Sequence, residues 1–418
     1  MNVIIFHYEH IVGGAQTLSL RIFRMARKKS YNCYWVKTRS GKEDKYFINE
    51  INKIGVKILR LAPRKLSRNF CISNSILFFD EETTVITYDI LEYFLSRKIL
   101  KAKSGNNINY RLYIIHPYII YQNSTNLFKK IIFYMKYQIL YNKILRRIKN
   151  DLYFMDFYCA YIARTYHRIR LNLDNIIKLG VEIDRIEEKI IMNRYHNKYF
   201  TILTISRIDF PFKYYILPLI EIIAKKSIMN KNIRLIIIGD GKDKRLIENL
   251  INNKGLNKNI SMISKCEYDK LKNYINISNL NIGMGTTILD AGKYGLPSLV
   301  AIPYCKAPLT IGLFSKENDS LGEPYDNKII YKNMEIEIDR IMSMNENEYF
   351  AISIETYNHI KKEYNEDINI NRLIHNSNNN IGASRIRVEK RNLYALYIIQ
   401  SIDILRDHFS KKRKIRIR

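Results

Sequence analysis

A chain of 418 residues has room for two or three domains of roughly 150 residues each, and 47% hydrophobic with 26% charged residues excludes a wholly disordered, collagen-like or coiled-coil protein. Lys and Arg number 69 against 40 Asp and Glu, a formal net charge of +29. Such a charge suits nucleic acid, an anionic membrane surface or phosphorylated small molecules as partner, or else follows from a coding bias that raises Lys, Ile, Asn and Tyr together. Cys33, Cys71, Cys159, Cys266 and Cys305 are odd in number, scattered and without a C-x-x-C pair, so neither a disulfide framework nor a zinc ribbon is indicated. The start, MNVIIFHYEH, lacks the basic region and long apolar core of a signal peptide. Nowhere do about 18 apolar residues run uninterrupted, so no transmembrane helix is predicted. A cytosolic protein in a reducing compartment is expected.

In chain order, 3–6 reads as a strand, and Gly13–Gly14 opens a helix running through Leu18, Ile22 and Met25. Further strands are predicted over 32–36, 56–59, 84–88 and 112–115, with helices near 43–53 and 91–102. Residues 126–149 read as one long helix, followed by a strand over 152–155. Alternation of β and α at this pace argues for a parallel sheet with crossover helices.

The second half repeats the pattern. A near-continuous apolar strand, 200–206, leads through the loop 207–213 into a helix through Leu217, Ile220 and Ile223. A second strand, 235–238, runs into Gly239–Asp240–Gly241 and a helix beginning near Lys244. A strand over 260–263, a helix over 268–275 and a strand over 279–282 precede Gly283–Met284–Gly285–Thr286–Thr287, a helix from Ile288 and a strand over 298–302. Strands this apolar are expected inside a parallel sheet covered on both faces. The predicted fold class is α/β, with two doubly wound, Rossmann-like domains, 1–185 and 197–328, joined by a hinge near 183–196. After about 328 the pattern turns helical and polar, so 329–418 is expected to be a helical, basic extension packing back on the domains. Within it 375–380 reads as a loop and 392–409 as an amphipathic helix, and 411–418 holds six basic residues in eight.

The segment Gly283–Thr287, between a strand and a helix, is the most informative. Its glycines let backbone approach a ligand closely, and the helix start offers N–H groups and the positive dipole end, an arrangement that holds phosphate. A tight turn capped by Thr286 or Thr287 would account for the same residues. Arg207 and Lys213 flank the loop after the first strand of this domain, at the carboxyl end of the sheet, where open α/β folds bind ligands. Together with Gly285, Thr286, Thr287 and, after the second strand, Gly239, they would suit a diphosphate; taken singly, each cation would be a solvated surface charge. Asp290, one turn into the helix, can accept from a ribose diol or simply favour the helix dipole. In the first domain His116 ends a strand before Pro117 and is a candidate acid, base or hydrogen-bond donor to a sugar, with a structural histidine as the alternative. Gly13 and Gly14 could admit a phosphate or sugar, or form a plain turn.

Together these residues resemble the glycosyltransferases of the GT-B fold, specifically the group 1 (family 4) enzymes. The resemblance lies in Gly13–Gly14–Ala15–Gln16, ILTISRIDFPFKYY, LIIIGDGKDKRLIENL and LNIGMGTTILDAGKYGLPSLVA. It covers about 200–303 closely and the first half loosely. It implies a nucleotide-sugar donor, as substrate and with no cofactor, in the second domain, and a polysaccharide or lipid-linked glycan acceptor mainly in the first. By the same resemblance Arg207 and Lys213 would grip the donor diphosphate with help from the amides of Gly285–Thr287, Asp290 would take the ribose, and His116 would stand near the reacting sugar. Retention of anomeric configuration without a bound metal is also implied. No D-x-D motif is present, and Asp80–Glu81–Glu82 reads as a solvated acidic turn. The family's two glutamates, eight positions apart, fall here at Asp290, a shortened carboxylate, and at Ile282, which cannot contact a sugar hydroxyl. A sugar-nucleotide epimerase or a degenerate binding subunit on the same fold is the alternative.

The 126–149 segment bears seven basic residues and no acidic one. Lys129, Lys136, Lys143 and Arg147 form a stripe beside Phe128, Ile132, Met135 and Ile139. With the basic C-terminus this suits docking on an anionic bilayer, at about 1 kcal/mol for each basic residue near the surface. It predicts a cytoplasmic protein, peripheral at the inner face of the cell membrane; a core helix with one solvated stripe is the other reading. No helix-turn-helix, zinc finger or RNA-binding aromatic motif is present, so nucleic acid is not the expected partner.

Overall fold

A computed structural model of the chain describes residues 1–7, 14–37, 45–60, 76–103, 107–120, 130–131, 133–170, 172–229, 232–264, 266–267, 270–322 and 330–375. Contacts divide the chain into two units, Met1–Leu179 with Asp367–Arg418, and Gly180–Glu366.

The first unit runs β1 (Asn2–Phe6), α1 (Gly14–Lys28), β2 (Asn32–Lys37), α2 (Lys45–Ile54), β3 (Lys57–Arg60), β4 (Leu77–Phe79), β5 (Thr83–Thr87), α3 (Ile90–Ile99), β6 (Leu100–Ala102) and β7 (Ile108–Ile114). A π-helical stretch, Tyr134–Tyr141, passes into α4 (Asn142–Arg147), and β8 (Leu152–Phe154) and α5 (Phe157–His167) follow. Six parallel strands stand in the order β3-β2-β1-β5-β7-β8. Every residue of β1 and β5 is buried, as two-sided cover by crossover helices demands. The helix expected over 91–102 is shorter. Asp89 starts it by accepting from the Leu91 amide at 2.7 Å, and after Ile99 the chain extends to pair β6 with β4 in a separate two-stranded sheet.

The long helix expected over 126–149 is helical through its described part but not uniformly α, because the π-helical stretch interrupts it. Residues 126–129 and 132 lie outside the described residues. Phe133, Tyr141, Ile144, Leu145 and Ile148 face the core, while Ile131, Tyr134, Met135 and Ile139 stay between 54 and 61% exposed. Lys143 and Arg147 are exposed; Lys136 is half-buried, its Nζ 5.7 Å from the centroid of the Tyr141 ring.

The second unit contains α6 (Glu188–Tyr195), β9 (Phe200–Ile205), α7 (Ile216–Ile228), β10 (Ile233–Ile238), α8 (Lys244–Asn253), β11 (Ile260–Ile263), α9 (Leu271–Asn276), β12 (Leu280–Gly283), α10 (Thr286–Gly292) and β13 (Ser298–Ala301). β14 (Leu309–Leu313), β15 (Lys332–Asn333), α11 (Met334–Met342), α12 (Glu346–Glu363) and α13 (Glu366–His375) complete the described chain. The sheet order is β11-β10-β9-β12-β13-β14-β15, parallel through β13 and antiparallel at β14 and β15. A capping box starts α12: the Asn345 side chain takes the Glu348 amide at 3.0 Å, and the Glu348 carboxylate takes the Asn345 amide at 2.9 Å.

The division by contacts differs from the 329–418 extension expected from sequence. α11 and α12 belong with the second sheet, where Met334, Ile338 and Ile341 join its core and the Tyr349 hydroxyl donates to the Asn279 carbonyl at 2.8 Å. α13, from Asp367 on, is grouped with the first unit. There the Ile374 carbonyl, near the helix's end, accepts from Thr84 Oγ1 at 3.0 Å and from Arg111 Nη2 at 3.2 Å. The chain therefore passes between the units twice, after Leu179 and after Glu366. Near these crossings Val181 donates to the Tyr364 carbonyl at 2.8 Å and Glu366 donates to the Val181 carbonyl at 2.9 Å. Of the loop expected over 375–380, His375 is instead the last residue of α13; 376–380, the helix expected over 392–409 and the basic end 411–418 lie outside the described residues. Among the described residues no helix is long and apolar enough to cross a membrane.

Candidate active site

In the second sheet β9 has β10 on one side and β12 on the other. The order of connection reverses there, and the loops leaving β9 and β12 flank a switch-point crevice of the kind in which open α/β sheets bind ligands. Arg207 and Lys213 lie on the first loop; Gly285, Thr286, Thr287 and Asp290 lie on the second and its helix. The Arg207 side chain is 75% exposed, with Nε 2.6 Å from Asp209 Oδ2. Lys213 is half-buried, its Nζ 4.7 Å from the Phe212 ring centroid.

Neighbouring backbone makes this loop firm. Ser206 donates to the Ile238 carbonyl and Ile208 to the Asp240 carbonyl, both at 2.9 Å, while Asp243 Oδ2 takes the Phe210 amide at 2.7 Å. Gly239 has φ +153°, and a Cβ there would stand 1.8 Å from the Ser206 carbonyl oxygen; one on Gly241 would stand 2.3 Å from that of Ile208. These glycines therefore allow the β10 loop to lie directly on the loop carrying Arg207.

On the other side of the crevice Gly285 adopts φ +67°, with nothing within 4 Å of a Cβ, so the backbone turn rather than lack of room favours glycine. Its amide donates to the Leu321 carbonyl at 2.6 Å, and Thr287 Oγ1 donates to the Met284 carbonyl at 3.1 Å. Of the three amides expected to face an anion, Gly285 is thus engaged within the protein. Thr286 and Thr287 supply the first two N–H groups of α10, which by position have no acceptor within the helix. Asp290 is buried, one turn before Tyr294. Burial pushes the Tyr294 hydroxyl's ionisation up, reinforced by its hydrogen bond to Asp184 and by the charges of Asp184, Asp290 and Glu182. Ile282 is fully buried in the core of the second unit and pairs with Leu299 of β13, so that position serves packing.

In the first unit the strand order reverses between β1 and β5. His116 follows β7, one strand farther along, and is half-buried, its carbonyl accepting from the Ile119 amide at 3.1 Å. Gly14 begins α1, and Gly13 lies outside the described residues. The switch point itself holds groups that sequence reasoning passed over. His7, just after β1, has Nδ1 2.8 Å from Glu92 Oε1 and Nε2 3.2 Å from Gln16 Nε2; all three side chains are buried. Glu92 fixes the proton on Nδ1 when Gln16 donates to Nε2. Asp89, just after β5, is half-buried, and burial reinforced by the nearby Glu92 pushes its carboxyl up to about 6. The residues around His7, FHYEH, offer no local motif; only strand order brings His7 and Asp89 to one crevice.

Residues 186–330 match the family described as glycosyl transferases group 1, a span that contains both loops of the second crevice. Comparison with curated protein sequences gives no match. Among solved structures, a glycosyltransferase from Rickettsia africae ESF-5 is similar at 14% identity, over 89% of this chain and 96% of that one, with a TM-score of 0.58. HepE of Anabaena, in complex with UDP and glucose, is similar at 12% identity over 89% and 97%, with a TM-score of 0.53. A TarM mutant of S. aureus, in complex with Fondaparinux, alpha-GlcNAc-glycerol and UDP, is similar at 11% identity over 89% and 98%, with a TM-score of 0.55. At such identities the likeness is one of fold, and it extends over both units. Residues 186–330 are thus a glycosyl transferases group 1 domain, carried on a chain with the two-domain GT-B fold.

Proposed function

We propose that this protein moves a sugar from a nucleotide-sugar donor to a hydroxyl of a polysaccharide or lipid-linked glycan, at the cytoplasmic face of an anionic membrane. The observation that carries the reading is the coincidence of the group 1 match with the switch-point crevice between β9 and β12. The donor is a nucleotide sugar of the kind whose parts, UDP and glucose, accompany HepE. Arg207 and Lys213 bind its diphosphate, the Thr286 and Thr287 amides add two donors, and Asp290 takes the ribose. Gly239 keeps the β10 loop low beside them. Transfer rests on orientation and on stabilising charge on the departing diphosphate, with no metal and with retention at the anomeric carbon. His116 and the Gly13–Gly14 loop serve the acceptor side. The exposed apolar residues Ile131, Tyr134, Met135 and Ile139, with exposed Lys143 and Arg147 on the same segment, meet the lipid surface.

A second reading, a GT-B protein that binds nucleotide sugar without transferring it, draws on the burial of Ile282 where the family carries a glutamate. Titration of the purified protein with a panel of nucleotide sugars, followed by transfer assays, separates the two. Arg207→Ala and Lys213→Ala are each expected to weaken donor binding roughly 10- to 100-fold, the equivalent of losing charge-assisted hydrogen bonds. His116→Ala is expected to slow turnover more than it weakens donor binding. Unchanged donor affinity in both cation variants overturns the site, and donor binding without transfer to any glycan supports the second reading.

A further inference from the structure

The Gly285 amide, instead of facing the crevice, is held by a segment far along the chain. Leu321 supplies the carbonyl, at 2.6 Å. Its neighbour Gly322 lies so close to the same loop that a Cβ would stand 2.7 Å from Met284 Cβ and 3.2 Å from the Ala301 carbonyl oxygen, at φ +115°. Ser320 Oγ, buried, takes the Gly322 amide at 3.2 Å and so folds the strap on itself. Residues 319–322 therefore form a strap laid on the Met284–Gly285 turn.

The strap is fastened at its first residue. Asp319 Oδ1 accepts from His359 Nε2 at 2.8 Å and from the Tyr364 hydroxyl at 2.5 Å. His359 lies on α12 and Tyr364 closes its C-terminal end. The Phe314 ring, 5.4 Å from the His359 ring and 6.0 Å from that of Tyr364, walls the pair on the sheet side. With its side chain only 16% exposed, the carboxylate is largely shielded from water, which strengthens both bonds and makes their loss costly. α12 in turn is fixed to the sheet through Tyr349 and the Asn279 carbonyl.

We infer that Asp319 is a positioning residue for the donor loop: clamped by His359 and Tyr364, it holds the 319–322 strap whose Leu321 carbonyl sets the Gly285 turn, and with it the two N–H groups of Thr286 and Thr287. The inference rests on the donor reading only for its consequence, since the clamp and the turn are features of the second unit itself. A hydrogen bond reached through three residues does not touch substrate; it decides where the groups that do so stand.

Hydrogen exchange measured by mass spectrometry on the full chain tests the clamp without any ligand. In Asp319→Ala, exchange in the peptide containing Gly285 is expected to quicken about tenfold or more, while β9 and β10 keep their protection. Tyr364→Phe, which removes one hydroxyl and leaves the packing, is expected to give a smaller rise. Asp319→Asn keeps an acceptor oxygen for Tyr364 and is expected to restore part of the protection. Unchanged exchange at Gly285 in both Asp319→Ala and Tyr364→Phe overturns the clamp. Titration with UDP, ADP and GDP then reads the consequence: the diphosphate that the parent protein binds is expected to bind about tenfold more weakly to Asp319→Ala. A loosened Gly285 with undiminished affinity overturns the positioning role. If the parent protein binds none of the three, the donor reading loses its support, and the exchange result still decides the clamp.

Discussion

Asp89 shows how one carboxyl can carry both structure and a pH signature. Its side chain accepts from the Leu91 amide and so caps α3, yet burial and the charge of Glu92 raise its pKa to about 6 from an ordinary 3.8. A folded-state pKa above the unfolded one means that the folded state holds more protons between these two values. Stability from this group is therefore full below about pH 4 and is lost as pH rises through about 6. Asp89→Asn keeps the capping oxygen and removes the titration. Urea unfolding at a series of pH values from about 4 to 7 is expected to show the parent protein losing stability relative to Asp89→Asn as pH rises, since the other carboxylates cancel in the difference. Parallel pH curves for the two proteins would contradict the raised pKa. The same group stands where β5 ends, beside the His7–Glu92 pair, so a change in its charge between about pH 5 and 7 would be felt at the acceptor side of the proposed reaction.

Glycine in the β10 loop makes a contrasting case, in which the constraint is backbone against backbone. Gly239→Ala would press a methyl group onto the Ser206 carbonyl at 1.8 Å and strain φ +153°. A destabilisation of roughly 3 kcal/mol is expected from overpacking and backbone strain together. Gly255→Ala serves as the control: φ is +66°, but nothing lies within 4 Å of a Cβ, so only the smaller conformational cost applies. Thermal unfolding should show a much larger drop for Gly239→Ala; equal drops would mean that the two loops yield easily. This packing also explains what can be read from sequence. The runs ILTI and LIII, each buried between helices, announce β9 and β10 directly, and the Gly-rich loops after them are local motifs. β6 merges with the helix before it in such a reading, because Leu100–Ala102 continues an apolar pattern and its partner β4 lies far earlier in the chain. The π-helical stretch is equally hidden, since apolar residues on most faces give no period to distinguish one helical winding from another. Arg207, Lys213 and Thr286 can be picked out from their own neighbourhoods. The Asp319 clamp cannot: its partners lie 40 and 45 positions away, and His7 and Glu92 are 85 apart. Only the pairing of strands and the docking of α12 bring such groups together.

Across the molecule the excess of positive charge, +29, needs a local expression before it can direct the protein anywhere. The 130–147 segment supplies a test of that, and it alters the expectation drawn from its basic stripe. Lys136 rests against Tyr141 rather than standing out, whereas Ile131, Tyr134, Met135 and Ile139 form an exposed apolar ridge at helical spacing. Exposed Lys130, Lys143, Arg146 and Arg147 lie on the same segment. Two forces should then hold the protein on an anionic bilayer, and they answer to different variables. The cations contribute about 1 kcal/mol each near the surface and weaken with salt, as the Debye length shortens from about 30 Å at 0.01 M to about 10 Å at 0.1 M. The ridge contributes through burial of apolar area, at roughly 25 cal/mol per Å², and is indifferent to salt. Sedimentation with vesicles of mixed anionic and neutral lipid should therefore show strong binding at low salt and a residual part that survives about 0.15 M salt. Lys143→Glu with Arg147→Glu should remove chiefly the low-salt gain, while Ile131→Ser, Met135→Ser and Ile139→Ser together should remove the residual part. Nucleotide binding should be spared by both sets, because the loops proposed to bind the donor belong to the other unit. Equal, weak binding of the parent protein to anionic and neutral vesicles would assign the charge to coding bias and leave the ridge without a lipid partner.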